Sequence, residues 1–292
     1  MSVPHRMAAS AAATLVGAGP RRQSLETQMK QLLVALCTWV LASNVMAQQS
    51  TADAIAKYRE MIAEGNPAEL YEAKGEELWK RVDGPKKASL QQCDLGLGPG
   101  VVKGAYAQLP RYFADTDRVQ DVESRLMTCM ETLQGFNAAE IAKTPFRRGK
   151  KGDLEAVATY IAGASKGMTV KVAPTHPKEK EMIALGRKAF FMQGGPYDFS
   201  CATCHGAEDQ RIRLQDLPNI TTAEGASKGW TTWPAYRVGN GQMWPMQHRL
   251  NDCYRQQRFP EPIYGSEVTI ALSYFMANLS NGATMATPGI KR

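Results

Sequence analysis

The chain has 292 residues, a formal net charge of +7, charged residues at 22% and six cysteines. That length accommodates one or two domains. The basic excess is spread thinly, without the dense Lys/Arg patch of a nucleic-acid binder, so it argues for a small anionic substrate or an acidic protein surface instead.

In chain order, the first predicted element is an export signal. Met29-Lys30 is a short positive start, residues 31–41 are an apolar run too short to cross a bilayer, and residues 42–47 are a small-residue exit with Val45 and Ala47 at −3 and −1. Cleavage is expected after Ala47, so the signal region covers 1–47 and the signal peptide 29–47. Cys37 follows the bulky Leu36 and reads as part of the discarded apolar run, not as a lipidation site. Export implies the periplasm, where disulfides persist. No later segment is long and apolar enough to span a membrane.

Residues 48–170 and 171–292 read as two domains on one plan. The first has a helix with Gly75 and Trp79 at i and i+4, then Cys93, an irregular stretch, Cys129, and a helix over 153–164 carrying Tyr160. Residues 163–177, rich in small residues and prolines, read as a linker with the boundary near 170. The second has a helix over 179–192 with Met182, Ile183, Leu185, Ala189 and Phe190 at helical spacing, stopped by Gly194-Gly195-Pro196. Gly186 and Phe190 repeat the glycine–aromatic pair, Cys201 and Cys253 follow, and a helix over 268–279 carries Tyr274, expected to approach the bare backbone at Gly186. This terminal-helix contact resembles that of class I cytochromes c. The competing reading is a chance likeness between common amphipathic helices.

Cys201-Ala-Thr-Cys204-His205 has the spacing for a c-type haem. Two thiols three positions apart add to the two vinyl groups of one porphyrin, and the adjacent histidine reaches the iron. A zinc half-site lacks a second ligand pair at short spacing, and a redox dithiol lacks a βαβ context. In the first half, Cys93 is followed by Asp94, Leu95, Gly96 and Leu97, where a haem unit needs x-x-Cys-His. The expected fold class is therefore mainly α, two cytochrome c-like domains in tandem, only the C-terminal one carrying the single covalent haem c. Cys93 and Cys129 are then the expected disulfide, with two free buried thiols as the competing reading.

The sixth ligand stays open on residue types alone. Met243 and Met246 lie in a loop able to deliver a sulfur, whereas Met276 suits the core. Cys253 is the odd cysteine of the exported chain, flanked by Arg249, Arg255 and Arg258, and nearby positive charge favours a thiolate. On a helix, Arg249 at i−4 shares its face. The bland reading is a solvated basic stretch with an inert cysteine.

The runs 93–113, 122–126, 201–205 and 249–258 resemble the SoxA family, the catalytic haem subunits of the SoxAX cytochromes of bacterial sulfur oxidation. The broken motif after Cys93 is similar to the single-haem type. The resemblance implies His205 as proximal ligand, Cys253 as distal sulfur ligand, often a persulfide, and Arg249 as active-site base or anion anchor. It implies SoxX as cytochrome partner and the SoxYZ carrier protein as thiol acceptor. The activity implied is that of an L-cysteine S-thiosulfotransferase: thiosulfate is coupled oxidatively to a carrier cysteine, and two electrons leave through c-type haem. One rival reading is a plain electron carrier with His205/Met243 or His205/Met246 ligation. Another is a structural partner whose haem only relays electrons. A plain electron carrier has no need of the Arg-x-x-x-Cys segment.

Overall fold

A computed structural model describes residues 27–34, 57–58, 60–61, 65–212 and 215–291, and its chain divides into two units, residues 1–61 and 62–292. In the first unit the described residues are helical. Cys37, Val45 and the expected cleavage after Ala47 lie outside the described residues. No helix among the described residues is long and apolar enough to cross a membrane.

Two glycines set the helix packing of the second unit. In α1 (Ala68–Lys80) a Cβ on Gly75 would collide with the carbonyl oxygen of Ala156 and lie 2.8 Å from Tyr160 Cβ, both in the later helix Gly149–Gly163. In the helix Pro177–Phe191, a Cβ on Gly186 would collide with the Ala271 carbonyl and lie 2.9 Å from Phe275 Cβ, both in the helix Glu267–Leu279. Backbone therefore meets backbone at two matched crossings, which only glycine permits. The sequence expectation named Tyr274 as the residue approaching Gly186. Ala271 and Phe275, at i and i+4, make the nearest approach to Gly186, while Tyr274, at i+3 on the same face, interacts with Glu179 at the start of the Gly186 helix.

The match extends past the first helix of each half. An isolated bridge joins Asp83 to Ala88, and another joins Gly194 to Phe199 at the same offset. Within these turns Gly84 and Gly195 have φ of 74° and 69°, and Lys87 and Asp198 have φ of 48° and 50°. Ser89 and Ser200 then each cap the turn that follows. In this register Leu90 stands at the place of Cys201, Cys93 at that of Cys204, and Asp94 at that of His205. The sequence expectation had treated Cys93 as the first cysteine of a truncated motif, but the matched hairpins make it the second.

The remaining elements follow in order. The strands β1 (Arg111–Phe113) and β2 (Arg118–Gln120) form an antiparallel ribbon. Helix α2 (Val122–Cys129) starts from a capping box between Asp121 and Ser124, and its last residue is bonded to Cys93 with the Cα atoms 5.6 Å apart. This is the expected disulfide. Helix α3 (Ala138–Lys143) precedes α4 (Gly149–Gly163), which starts four residues before the predicted helix because Gly149 and Gly152 hide its first turn from propensity. Helix α5 is Pro177–Phe191 and α6 is the single turn Cys201–His205. The short ribbon β3 (Arg211–Ile212) and β4 (Gln215–Asp216) leads to α7 (Ala223–Trp230). Strands β5 (Ala235–Arg237) and β6 (Gln242–Trp244) form a hairpin that opens into α8 (Met246–Gln256), and α9 (Glu267–Leu279) is followed by β7 (Gly289–Lys291), parallel to β5. Helices dominate and strands are two or three residues long.

The stretch read as a linker is not an exposed tether. Val170 and Val172 are buried, and the backbone at 167–172 exchanges hydrogen bonds with 282–285. Asn281 also bonds both the N–H and the carbonyl of Val172. Further seams join the halves: Glu179 accepts from Tyr112 N–H at 2.8 Å, Gln247 donates to Asp121 at 2.5 Å, and Tyr106 stacks on Trp230. A continuous core runs from Leu78 to Met285.

Candidate functional site

Helix α6 is held at both ends. Ser200 and Thr203 form a reciprocal cap at its start, and its final carbonyl, on His205, accepts from Ile220 N–H at 2.8 Å. His205 Nδ1 lies 2.9 Å from the carbonyl oxygen of Pro218. Because a carbonyl only accepts, Nδ1 carries the hydrogen and Nε2 keeps its lone pair. Burial holds the His205 pKa below the ordinary imidazole value, outweighing the Pro218 bond that raises it. The ring is thus neutral and oriented, the form that ligates iron.

Cys201 and Cys204 are both free and partly buried. Burial pushes the Cys201 thiol up to about 12, with further upward contributions from Cys253 and Cys204. Cys204 is raised in the same way, by burial and then by Cys253, while Arg249 opposes the shift. Arg249 also contributes to the lowering of His205. Helix α8 therefore brings Cys253 and Arg249 within electrostatic reach of the turn at 201–205. All five residues singled out in the sequence for this site come together, and Cys93 with Cys129 lie apart in the first half.

Cys253 is the third free thiol, also partly buried. Tyr254 beside it is pushed up to about 12 by burial, and then by Cys201 and Cys253. Met243, in β6, and Met246, the first residue of α8, are both buried. The arginine cluster is less free than the sequence suggested. Asp252 pairs with Arg249 at 3.2 Å and binds Arg255 as well. This carboxylate was missed, although the pattern Arg249-x-x-Asp252-x-x-Arg255 places it one turn from each arginine.

Two further groups were missed. Arg237, at the end of β5, interacts electrostatically with Arg249, Asp252 and Cys253. His248, next to Arg249, is sandwiched by ring contacts with Trp244 (4.1 Å) and Phe146 (3.9 Å). Burial holds its pKa down to about 3, so it is neutral.

The donor set suits a porphyrin better than a bare ion. Two unbonded thiols one turn apart sit beside a histidine whose tautomer is fixed, and a further sulfur comes from a separate helix. Among the described residues no group of three or more His, Cys, Asp or Glu side chains gathers to hold a metal ion. Structural zinc needs four such ligands.

Comparison with known proteins places this arrangement. Residues 74–170 match the family model described as SoxA/TsdA, cytochrome c domain. The chain is 57% identical over 264 residues to an L-cysteine S-thiosulfotransferase subunit SoxA of Hydrogenophilus thermoluteolus, covering 89% of this chain and 97% of that one. It is 37% identical over 254 residues to a protein of the same description from Hydrogenobacter thermophilus, covering 85% and 92%. The crystal structure of SoxXA from P. pantotrophus superposes with a TM-score of 0.66 at 22% identity, over 81% of this chain and 84% of that chain, a likeness of fold.

Proposed function

The chain belongs to the SoxA family, and on that premise we propose that it is the catalytic, haem-bearing subunit of a SoxAX-type L-cysteine S-thiosulfotransferase acting in the periplasm after removal of its signal peptide. It couples thiosulfate to the carrier cysteine of a SoxYZ protein, in complex with a SoxX cytochrome. The two halves are cytochrome c-like domains, of which only the second, 171–292, holds haem c. The family model matching the motif-less half supports the duplication.

Cys201 and Cys204 would hold the haem by thioether bonds, and His205, through Nε2, and Cys253 would supply ligands to its iron. When bound, the haem supplies a one-electron acceptor that passes electrons to the partner cytochrome. The residues of this chain do the rest. Arg249 holds the sulfonate end of thiosulfate, its guanidinium steadied by Asp252 at 3.2 Å. The Cys253 thiolate bonds to the outer sulfur of thiosulfate with loss of two electrons, leaving a Cys253 S-thiosulfonate. The carrier thiolate then attacks that outer sulfur. The new carrier S–S bond forms, the bond to Cys253 breaks, and Cys253 leaves as thiolate.

The observation that carries the reading is the convergence of Cys253 and Arg249, one turn apart on α8, upon the turn 201–205. Its test is Cys253→Ala in the assembled complex, followed by mass spectrometry of the carrier. Loss of the thiosulfonate adduct with covalent haem retained is expected. Full conjugation by that variant would overturn it.

A further inference from the structure

The carbonyl that orients His205 is itself held in place. It belongs to Pro218, 2.9 Å from His205 Nδ1, and the next residue, Asn219, is buried. Asn219 Oδ1 accepts from the Thr221 N–H at 3.1 Å and from the Thr221 hydroxyl at 2.6 Å. Its Nδ2 donates to Glu208 Oε1 at 2.8 Å, a bond strengthened by the acceptor's charge. The Asn219 carbonyl accepts from the Thr222 N–H and hydroxyl at 3.2 and 3.0 Å, and a Cβ on Gly225 of α7 would collide with it. The peptide joining Pro218 to Asn219 is therefore fixed by the start of α7 and by the Glu208 carboxylate. The first half makes the matched turn without this clamp. There the Asp94 carbonyl accepts from Arg125 Nε at 2.7 Å, where the His205 carbonyl accepts from Ile220 N–H at 2.8 Å. The Asp94 side chain closes on its own turn, at the Gly96 and Gly98 N–H groups. Folding the turn thus does not require an asparagine–glutamate bond, and the clamp accompanies the half that has an imidazole to orient.

We infer that Asn219, anchored by Glu208, is a positioning residue that sets the strength of the His205–Pro218 hydrogen bond and, through it, the redox poise of the haem. The assignment rests on the reading above, in which His205 ligates haem iron. A ligand histidine that donates its other N–H to a carbonyl is the more basic for it, and a firmer bond raises that basicity further. A more basic ligand favours the ferric iron over the ferrous, so the hydrogen bond behind the ring is a lever on potential. Pro218 has no N–H with which to tie its own amide. The direction of its carbonyl is therefore left to the residue after it, and Asn219 is bonded through both its side chain and its backbone. Loosening that residue lengthens the bond to His205, weakens the ligand and makes the iron easier to reduce. Two electrons leave thiosulfate and the carrier thiol through this haem in single steps, so its poise governs how readily each departs.

The test is a redox titration of the haem-loaded complex, followed by the absorption of this chain's haem, with covalent haem content and melting temperature measured on the same samples. Asn219→Ala is expected to move the ratio of reduced to oxidised haem at a fixed potential by up to about tenfold toward reduced, about 59 mV for a one-electron couple, with covalent haem retained. Glu208→Ala, at an exposed residue, shifts the ratio the same way by less. Glu208→Gln keeps an acceptor for Asn219 Nδ2 and restores most of the parent value, although it removes the same charge. An Asn219→Ala variant that keeps its haem and titrates with the parent overturns the assignment. So does a Glu208→Gln shift equal to that of Glu208→Ala, which is the mark of a plain charge effect. Should Asn219→Ala lose its haem, Glu208→Ala decides alone: a shift sustains the assignment and none overturns it. A parent complex without covalent haem at Cys201 and Cys204 fails the functional reading instead, so the two failures are told apart.

Discussion

After the Gly84–Ser89 hairpin, the first half of the molecule carries Leu90, Cys93 and Asp94. After the Gly195–Ser200 hairpin, the second half carries Cys201, Cys204 and His205 at the same places. The backbone is alike and the chemistry is not. Leu90 offers no thiol, Asp94 offers no imidazole, and Cys93 is bonded to Cys129. The Asp94 carboxylate, at the place matched by His205, accepts from Gly96 and Gly98 N–H at 2.7 and 2.9 Å. Three side chains at matched backbone positions thus separate a structural turn from the turn proposed to hold haem, and both halves have the glycine-mediated helix crossing.

The comparison is broken most completely at Cys253, which has no reactive counterpart in the first half. A ferric low-spin haem with a thiolate opposite His205 has an EPR signature distinct from His/Met ligation. Cys253→Ala is expected to abolish that signature together with all coupling activity, whereas Met243→Leu and Met246→Leu leave it in place. Persistence of the thiolate signal in Cys253→Ala would refute this ligand assignment.

Next in size are the helix crossings. Gly75→Val and Gly186→Val each force a side chain into a backbone carbonyl, so each is expected to cost at least about 3 kcal/mol and to lower the melting temperature markedly. Only Gly186→Val should also reduce covalent haem content. Equal haem yields in the two variants would show that the halves do not fold as matched units.

The disulfide closes a loop of 36 residues, which corresponds to about 3–4 kcal/mol in the chain-entropy account. Replacing Cys93 and Cys129 together by serine is expected to lower stability to urea by that order, with thiosulfate affinity unchanged. An altered affinity would mean that the staple reaches the site.

The smallest effect concerns the seam. Glu155 Oε1 lies 3.8 Å from His248 Nδ1, too far for a hydrogen bond, and burial pushes the Glu155 carboxyl up to about 8. An acid raised on folding binds its proton more tightly in the native state. Its contribution is complete below its ordinary value and is lost as pH rises toward 8. His248, lowered on folding to about 3, works the other way: its contribution is complete above its ordinary value and is lost as pH falls toward 3. Glu155→Gln should therefore flatten the decline in melting temperature between about pH 4.5 and 8. An unchanged slope would remove Glu155 from this role.

Much of this was legible in the sequence because it rests on local spacing. The turn at 201–205, the helices carrying Gly75 and Gly186, the Cys93–Cys129 pair and the Arg249–Cys253 turn are all set by residues a few positions apart or by chemistry that admits few partners. What stayed hidden depends on three-dimensional register. Val170 and Val172 sit among small residues and prolines, so only their pairing with residues after α9 shows that they are buried. The true alignment of Cys93 needed the two hairpins. Arg237 lies far along the chain from Cys253, with no motif linking the two, and Phe146 is further still. That Ala271 and Phe275 come nearer to Gly186 than the Tyr274 of the same helix is set by the crossing itself, which residue types do not reveal.

The Cys93–Cys129 bond has a consequence for how the protein matures. It is almost fully buried, with its cysteines 1% and 4% exposed, whereas Cys201, Cys204 and Cys253 remain partly accessible. The first half precedes the second in the chain, so under the proposed export its two thiols would be oxidised and sealed before the others arrive. In an oxidising compartment, that order removes two competitors from the pool of exchanging thiols. The burial of one sulfur pair would thereby work as a sorting step, keeping free the cysteines that the proposed function assigns to a porphyrin and a substrate.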